Sequence, residues 1–207
     1  TIAGDDFIKL IRDAYEDESV KALVLRVDSG GGSAYASEVI ADELEKFKES
    51  GRPIVASMGG VAASGGYYIS APADQIFAEE FTITGSIGVG GFIPTFERTL
   101  DQIGIHEDGY STVDITTSVI QTLTEKDKKI FQSGTDNVYQ KFISKVAENR
   151  NMTLESVDNV AQGKVWIGQK ASEIGLVDRI GTLEDAISKA AELAELEDDF
   201  GVKRINR

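Results

Sequence analysis

A single serine, Ser64, lies in a segment of very small side chains whose composition suits nucleophilic chemistry. The segment from Met58 to Tyr68 contains four glycines and two alanines among its eleven residues, and it directly follows the apolar run from Pro53 to Ser57. Because so little side-chain bulk surrounds Ser64, the backbone of another peptide could approach its hydroxyl closely. A serine in such a setting is a candidate for attack on an acyl group.

A second glycine cluster, Gly30 to Gly32, lies about thirty residues upstream at the end of another strand-like run. Free backbone N–H groups on a loop beside a nucleophile are the second component of an acyl-transfer site, because they stabilise a developing oxyanion. Turn chemistry alone would also explain Gly31 and Gly32, and the two roles are compatible. The two clusters together predict an acyl-transfer site.

The composition excludes several other kinds of site. The 207 residues carry a net charge of −14, which argues against a nucleic-acid partner and against a basic membrane-binding surface. There is no cysteine, so a disulfide framework, a thiolate zinc site and a cysteine nucleophile are excluded. The acidic residues show no metal-ligand spacing, and no glycine loop leads into a Gly-Lys-Ser/Thr motif. We therefore expect neither a metal nor a cofactor.

Helix and strand patterns alternate through the first two-thirds of the chain, which predicts parallel strands joined by crossover helices. The patterns predict helices over 5–17, 37–49 and 62–71, and strands over 22–27, 53–58, 75–78 and 84–90. From about Thr124 the pattern is mostly helical, with a long helix over 126–148, another opening at Thr153 and a last one over 183–196, around a short strand at 163–168. One α/β domain over 1–196 and a tail over 197–207 is the simplest organisation.

Five segments in matching order resemble the signal peptide peptidase A (protease IV) family. They are Leu25–Ser33, Ser57–Ser70, Thr84–Val89, Gly163–Gly168 and Gly175–Asp178, and the likeness runs from about residue 5 to residue 196. The resemblance implies a Clp-protease/crotonase-like fold of repeated β-β-α units with a mostly helical C-terminal part. It also implies a serine endopeptidase that cleaves membrane-associated or signal peptides with a Ser–Lys dyad.

Carried onto this sequence, the resemblance implies that Ser64 is the nucleophile and that Ser86 holds the general-base lysine. The N–H groups of Gly65 and of the Gly31–Gly32 turn would form the oxyanion hole. A hydroxyl packed in the core is the competing interpretation for Ser86. A neutral lysine base needs an apolar, partly closed pocket, to which we expect Tyr67, Tyr68, Ile87, Val89 and Phe92 to contribute. Of these, Tyr67, Tyr68, Ile87 and Val89 are also expected to bind substrate.

Two departures from the family pattern stand out. Gly30 replaces the usual proline of the glycine turn, which leaves the N–H donors in place. Short family members carry the base lysine in the stretch that corresponds to 109–117, yet no lysine occurs between Lys48 and Lys126. Long family members hold two homologous halves, in which the N-terminal half supplies the lysine. We therefore expect this chain to be such a C-terminal half, with its base supplied from outside it.

Other residues have simpler interpretations. His106 is the only histidine, so a Ser–His–Asp triad would have to use it, but its surroundings indicate a surface strand or turn. Asp28 is better explained as a residue that caps the turn after its strand than as a triad acid. The lysines at 126, 128 and 129 indicate a solvated face, and Trp166 is expected in the core.

Three functions remain open at this stage. The leading one is the serine endopeptidase, acting on signal peptides and assembled as a homo-oligomer at the bacterial inner membrane, with the catalytic part facing the periplasm or the exterior. The chain begins at Thr1 without an initiator methionine, so an anchor is expected outside it. The second is a crotonase-like enzyme acting on acyl-coenzyme A, which needs no serine nucleophile. The third is a catalytically silent assembly module that has lost its base.

Overall fold

The structure is a computed structural model that describes residues 4–107, 112, 115, 118, 120–196 and 200–205. Its helices are α1 (Gly4–Glu16), α2 (Ala34–Glu49), α3 (Gly65–Ser70), α4 (Glu97–Asp101), α5 (Glu125–Arg150), α6 (Leu154–Val160), α7 (Gly168–Glu173) and α8 (Leu183–Leu193). Its strands are β1 (Leu23–Ser29), β2 (Ile54–Ala63), β3 (Gln75–Ala78), β4 (Ile83–Gly85), β5 (Val165–Ile167) and β6 (Arg179–Ile180). None of the described helices has the length and apolar character needed to cross a membrane.

The chain forms two compact units. The large unit consists of Thr1–Gly88 and Lys141–Arg207, and the small unit consists of Val89–Gln140. The predicted domain over 1–196 contains both units. Of the predicted tail, only residues 200–205 are described, and Lys203 among them pairs with Asp17 at 2.7 Å.

A sheet of six strands forms the centre of the large unit, and β2 is its longest strand. The first half of β2 pairs in parallel with β1 on one side and with β3 on the other. Its last three residues pair in parallel with β4, and β5 lies antiparallel to β4. Because β1 occupies the opposite side of β2 throughout, β3 and β4 follow one another along the same side. The pairs of β2 with β1, β3 and β4 are all parallel, as the alternating sequence pattern predicts.

A bulge interrupts the pairing of β2 with β1 just after the apolar run of β2. Val27 pairs with Met58 but Ser29 pairs with Ala62, so β2 has two extra residues opposite β1. Asp28 fills this interruption, and its Oδ1 accepts the N–H of Val61 at 3.1 Å. A Cβ on Gly59 would lie 3.0 Å from the Asp28 side chain, so a larger residue there would have to displace Asp28.

The helices and strands predicted from periodicity are present, with two local errors. The strand predicted over 84–90 forms only as Ile83–Gly85, because Gly85 and Ser86 adopt positive φ and end it. The pattern predicts a helix from residue 62 onwards, but residues 62 and 63 form the end of β2, and α3 begins only at Gly65. Alanine favours helices in isolation, but the pairing of 61–63 with β4 outweighs this weak preference. Three short elements, α4, α7 and β6, are not predicted by the sequence, because they are too short to show a period.

The large unit contains the buried apolar core, whereas no apolar side chain described in the small unit is buried. Phe47, Ile54, Val55 and Tyr67 are among the fully buried side chains of the large unit. Among the residues described between 89 and 140, the only buried side chain is that of Asp127, which accepts hydrogen bonds from Thr124 at the start of α5.

Candidate active site

Ser64 lies at the junction of β2 and α3 in a conformation that non-glycine residues seldom adopt. Its φ is 52° and its ψ is −119°. Its N–H donates to the carbonyl of Gly85 at 2.8 Å, and its own carbonyl accepts the N–H of Tyr68 at 2.9 Å. The side chain makes no capping hydrogen bond to α3 and is half-buried, so helix capping does not occupy the hydroxyl. A serine held at positive φ between a strand and a helix is strained, and such strain concentrates at functional sites.

Ser86 lies beside Ser64 because β2 and β4 are parallel and in register. Ala63 pairs with Gly85, so each serine directly follows one member of the pair at the carboxyl ends of the strands. Ser86 is also at positive φ, 49°, and its N–H donates to the carbonyl of Lys164 at 2.7 Å. The fold therefore brings the two predicted serines together and fixes both of their backbones.

The glycine turn after β1 packs directly on the backbone around Ser64. A Cβ added to Gly31 would lie 2.7 Å from the nitrogen of Gly65 and 2.8 Å from Cβ of Ser64. A Cβ added to Gly65 would lie 3.4 Å from the nitrogen of Gly32 and would clash with Oγ of Ser37. Both positions therefore need glycine, and the predicted oxyanion residues Gly31, Gly32 and Gly65 lie together beside Ser64.

The sequence profile of peptidase family S49 matches residues 46–197. The chain belongs to peptidase family S49. This confirms the predicted family, and with it the Clp-protease/crotonase-like fold class.

Relatives in bacteria are similar over most of the chain. It is 44% identical over 201 residues to "Protease 4" of Haemophilus influenzae, covering 97% of this chain and 33% of that protein. It is 48% identical over 196 residues to "Protease 4" of Salmonella typhi, covering 94% and 32%. It is 37% identical over 195 residues to "Putative signal peptide peptidase SppA" of Enterococcus faecium, covering 93% and 57%. The chain thus spans about a third of the length of the two "Protease 4" relatives.

Two of the side chains expected to bind substrate lie in the core of this S49 chain. Tyr67 is fully buried and its hydroxyl donates to the carbonyl of Leu176 at 2.9 Å, so it has no surface to offer a peptide. Ile87 is fully buried as well. For these two residues the expected substrate contact is corrected to a packing role. Periodicity and apolar character alone do not separate a pocket wall from a core.

The other expected pocket residues, Tyr68, Val89 and Phe92, differ in how far they are exposed. Tyr68 is 6% exposed, packs against Phe142 in a tilted arrangement with ring centroids 4.9 Å apart, and donates to Oε2 of Glu38 at 2.9 Å. Burial, followed by the neighbouring Glu38 carboxylate, raises the pKa of Tyr68. Val89 is half-buried and Phe92 is exposed, and both belong to the small unit. The roles of Tyr68 and Val89 in substrate binding, and of Phe92 in the apolar pocket, stay predictions.

Two lysines of the large unit that could be considered as the base are engaged in other contacts. Lys164, whose carbonyl holds Ser86, directs its ammonium group to the carbonyl of Asn159 at 2.8 Å. Burial alone would lower the pKa of Lys145. The hydrogen bonds and negative charges of Glu45 and Asp42 have a larger opposite effect, so the pKa is raised overall. A lysine whose pKa is raised stays protonated and cannot act as a base. The stretch 109–117 lies outside the described residues except for positions 112 and 115.

The alternative acid and base candidates have structural partners. The carboxylate of Asp28 holds the N–H of Val61, as a cap of the strand end would. His106 belongs to the small unit, where its exposed ring lies 3.0 Å from Oδ1 of Asp101. Within the described part of the chain, no group of three or more acidic or histidine side chains could hold a metal ion.

Three contributors to the site were missed by sequence reasoning. Ser29 and Ser37 contact the two loops of the site, and the serines at 29, 33 and 37 recur every four residues across the glycine turn, which was the available signal. Trp166 is half-buried, donates to the carbonyl of Val160 at 2.9 Å and packs on Gly85, the glycine whose carbonyl holds Ser64. For Trp166 the sequence held no such signal, since its contact with Gly85 depends on the pairing of β4 with β5.

Proposed function

We propose that this chain forms the nucleophile-bearing part of an S49 serine endopeptidase, with Ser64 as the nucleophile. The observation that carries the proposal is the placement of Ser64. Its backbone is fixed at positive φ by Gly85, its hydroxyl is not used in capping, and glycine backbone packs directly beside it. This arrangement suits acyl transfer, because the nucleophile and the backbone donors are fixed before substrate arrives.

The proposed reaction proceeds in two stages. A neutral lysine amine takes the proton of the Ser64 hydroxyl as Oγ attacks the carbonyl carbon of the scissile peptide. The N–H groups of Gly65 and of the Gly31–Gly32 turn stabilise the oxyanion of the tetrahedral intermediate. The C–N bond then breaks, and the amine product leaves with the proton held by the lysine. Water hydrolyses the remaining acyl-serine by the same route and regenerates Ser64.

The lysine base is proposed to come from outside this chain, from a homologous half that packs against the site. No lysine occurs between Lys48 and Lys126, and Lys145 and Lys164 are engaged as described. Ser86 is proposed to accept a hydrogen bond from that lysine and to hold it near Ser64. The register of β2 and β4 supports this role, because it sets the two serines at equivalent positions.

Peptides associated with membranes, including signal peptides, are the proposed substrates. The relative from Enterococcus faecium carries the name of a putative signal peptide peptidase. A protease of such peptides would act at the bacterial inner membrane, with this part facing the periplasm or the cell exterior.

A homo-oligomer is the proposed assembly, and the small unit supports it. Among its described residues no apolar side chain is buried, whereas eight large ones are exposed: Phe92, Ile93, Phe96, Ile103, Ile105, Ile115, Ile130 and Phe131. A unit that exposes its large apolar side chains and buries none of those described is consistent with a partner covering them in an assembly.

The test is peptide cleavage by the complete gene product carrying Ser64→Ala. We expect this variant to lose cleavage of a hydrophobic reporter peptide while remaining folded. Ser70→Ala is the matched control, because Ser70 lies on α3 and its hydroxyl donates to the carbonyl of Gly66 at 2.8 Å. Retention of cleavage by Ser64→Ala would contradict the proposal, and an inactive wild-type protein would favour the silent assembly module.

A further inference from the structure

The glycine turn beside Ser64 is held by Ser29, a residue without a role in the reaction proposed above. Ser29 is the last residue of β1, and its Oγ accepts the N–H of Gly31 at 3.2 Å. The Gly31 N–H is therefore already engaged within the turn. A donor that is hydrogen-bonded to a neighbouring hydroxyl is poorly placed to serve an acyl oxygen as well.

Ser29 also contacts the other loop of the site. A Cβ added to Gly66 would lie 2.5 Å from the carbonyl oxygen of Ser29, so the first turn of α3 packs on the Ser29 backbone. Ser29 is further paired with Ala62, two residues before Ser64. Ser29 therefore contacts three parts of the site. Its side chain binds the glycine turn, its carbonyl packs on α3, and its backbone pairs with β2.

We propose that Ser29 is a positioning residue that fixes the glycine turn relative to Ser64 and leaves the N–H of Gly32 as the turn's donor to the acyl oxygen. This inference rests on the proposed function, since it assigns roles around the same nucleophile. Ser29 does not touch the reacting atoms. It acts by holding Gly31, so that the turn meets Gly65 in a single arrangement.

The test uses Ser29→Ala and Ser29→Thr in the complete gene product. Removing the hydroxyl loosens the turn, so kcat falls about three- to tenfold with KM unchanged. Threonine keeps the hydroxyl and suits a strand, so Ser29→Thr restores kcat. A peptide boronate, which forms a tetrahedral adduct with the nucleophilic serine, loses affinity by the same factor as kcat in Ser29→Ala.

Ser33→Ala is the matched control, because the Ser33 hydroxyl makes a comparable bond in the same segment, accepting the N–H of Ala36 at 3.3 Å as the cap of α2. We expect it to lower the melting temperature and to leave kcat and boronate affinity unchanged. Wild-type kcat in Ser29→Ala, or a fall in kcat that Ser33→Ala matches, would overturn the role of Ser29. If Ser64→Ala remains active, the proposed function itself fails, whereas an inactive Ser64→Ala beside an unaffected Ser29→Ala overturns this inference alone.

Discussion

The N–H of Ser64 donates to the carbonyl oxygen of Gly85 at 2.8 Å, and this bond joins the ends of two parallel strands. Gly85 is itself at positive φ, 76°, and the indole of Trp166 lies where its side chain would be. The backbone of Ser64 is therefore held by β4 through Gly85, and Gly85 in turn packs against Trp166 of β5. A nucleophile held from the neighbouring strand keeps its strained conformation without help from substrate.

Substitution at Gly31 should abolish activity, whereas substitution at Gly30 should not. Gly31 has φ +97°, and an added Cβ would lie 2.7 Å from the nitrogen of Gly65. Gly31→Ala displaces the donor turn, and we expect cleavage to fall about a hundredfold or more. Gly30→Ala is the control, because nothing lies within 4 Å of an added Cβ there. Equal activity of the two variants, measured as kcat/KM, would show that the turn does not serve the reaction.

Arg52 should be a major source of stability although it takes no part in the site. Its guanidinium group donates to four carbonyl oxygens at and after the end of α1, those of Ala14, Tyr15, Asp17 and Val20. It also lies 4.4 Å from the ring centroid of Phe47. Arg52→Ala removes the charged donor from these carbonyls, of which that of Asp17 still accepts the N–H of Val20 at 3.0 Å. We expect the free energy of unfolding to fall by about 3 kcal/mol.

Urea unfolding of the chain, followed through the fluorescence of its single tryptophan, measures this effect. Arg52→Lys should retain part of the stability, since an ammonium group keeps the charge but not the fork of donors. A loss below about 1 kcal/mol for Arg52→Ala would mean that water replaces the guanidinium group at little cost.

Stability should fall at alkaline pH because of two buried tyrosines. Burial raises the pKa of Tyr67, and burial together with Glu38 raises the pKa of Tyr68. The folded state thus holds these protons more tightly than the unfolded state, whose tyrosines titrate near pH ~10. The stabilisation is complete below that pH and is lost as pH rises towards the raised values, so the free energy of unfolding decreases with pH above about 10.

Tyr68→Phe should make this alkaline decrease shallower, because one of the two proton differences is removed. Tyr35→Phe, at a side chain that is 78% exposed, is the control and should leave the slope unchanged. Urea unfolding at a series of pH values between about 9 and 11 provides the slopes. A slope that Tyr68→Phe does not alter would exclude Tyr68 as its source.

Much of the fold could be predicted because long elements show their period. The apolar spacing of Phe7, Ile8 and Ile11 predicted α1, and the mostly apolar run at 53–58 predicted a buried strand. The continuation of β2 through Gly59 and Gly60 could not be predicted. It depends on a bulge filled by Asp28 and on pairing with β4, and both are contacts between segments distant in sequence.

The backbone part of the site was better predicted than its side-chain part. The glycines at 31, 32 and 65 are constrained by close backbone approach, which small residues in the sequence reveal directly. The aromatic and aliphatic candidates were harder, since Tyr67 is equally apolar whether it lines a pocket or fills the core. Its hydroxyl donates to the carbonyl of Leu176, which lies more than a hundred residues later in the chain, so this contact has no local sequence signal.

The most direct measurement for the central claim is mass-spectrometric mapping of a fluorophosphonate probe on the complete gene product. Such probes bond covalently to an activated serine oxygen, so the label reports the nucleophile itself. The account predicts labelling on Ser64, strong in the complete protein and weak in this 207-residue chain alone, which lacks the proposed base. A label on another residue of a protein that cleaves peptides, or equally strong labelling of Ser64 in the isolated chain, would contradict it.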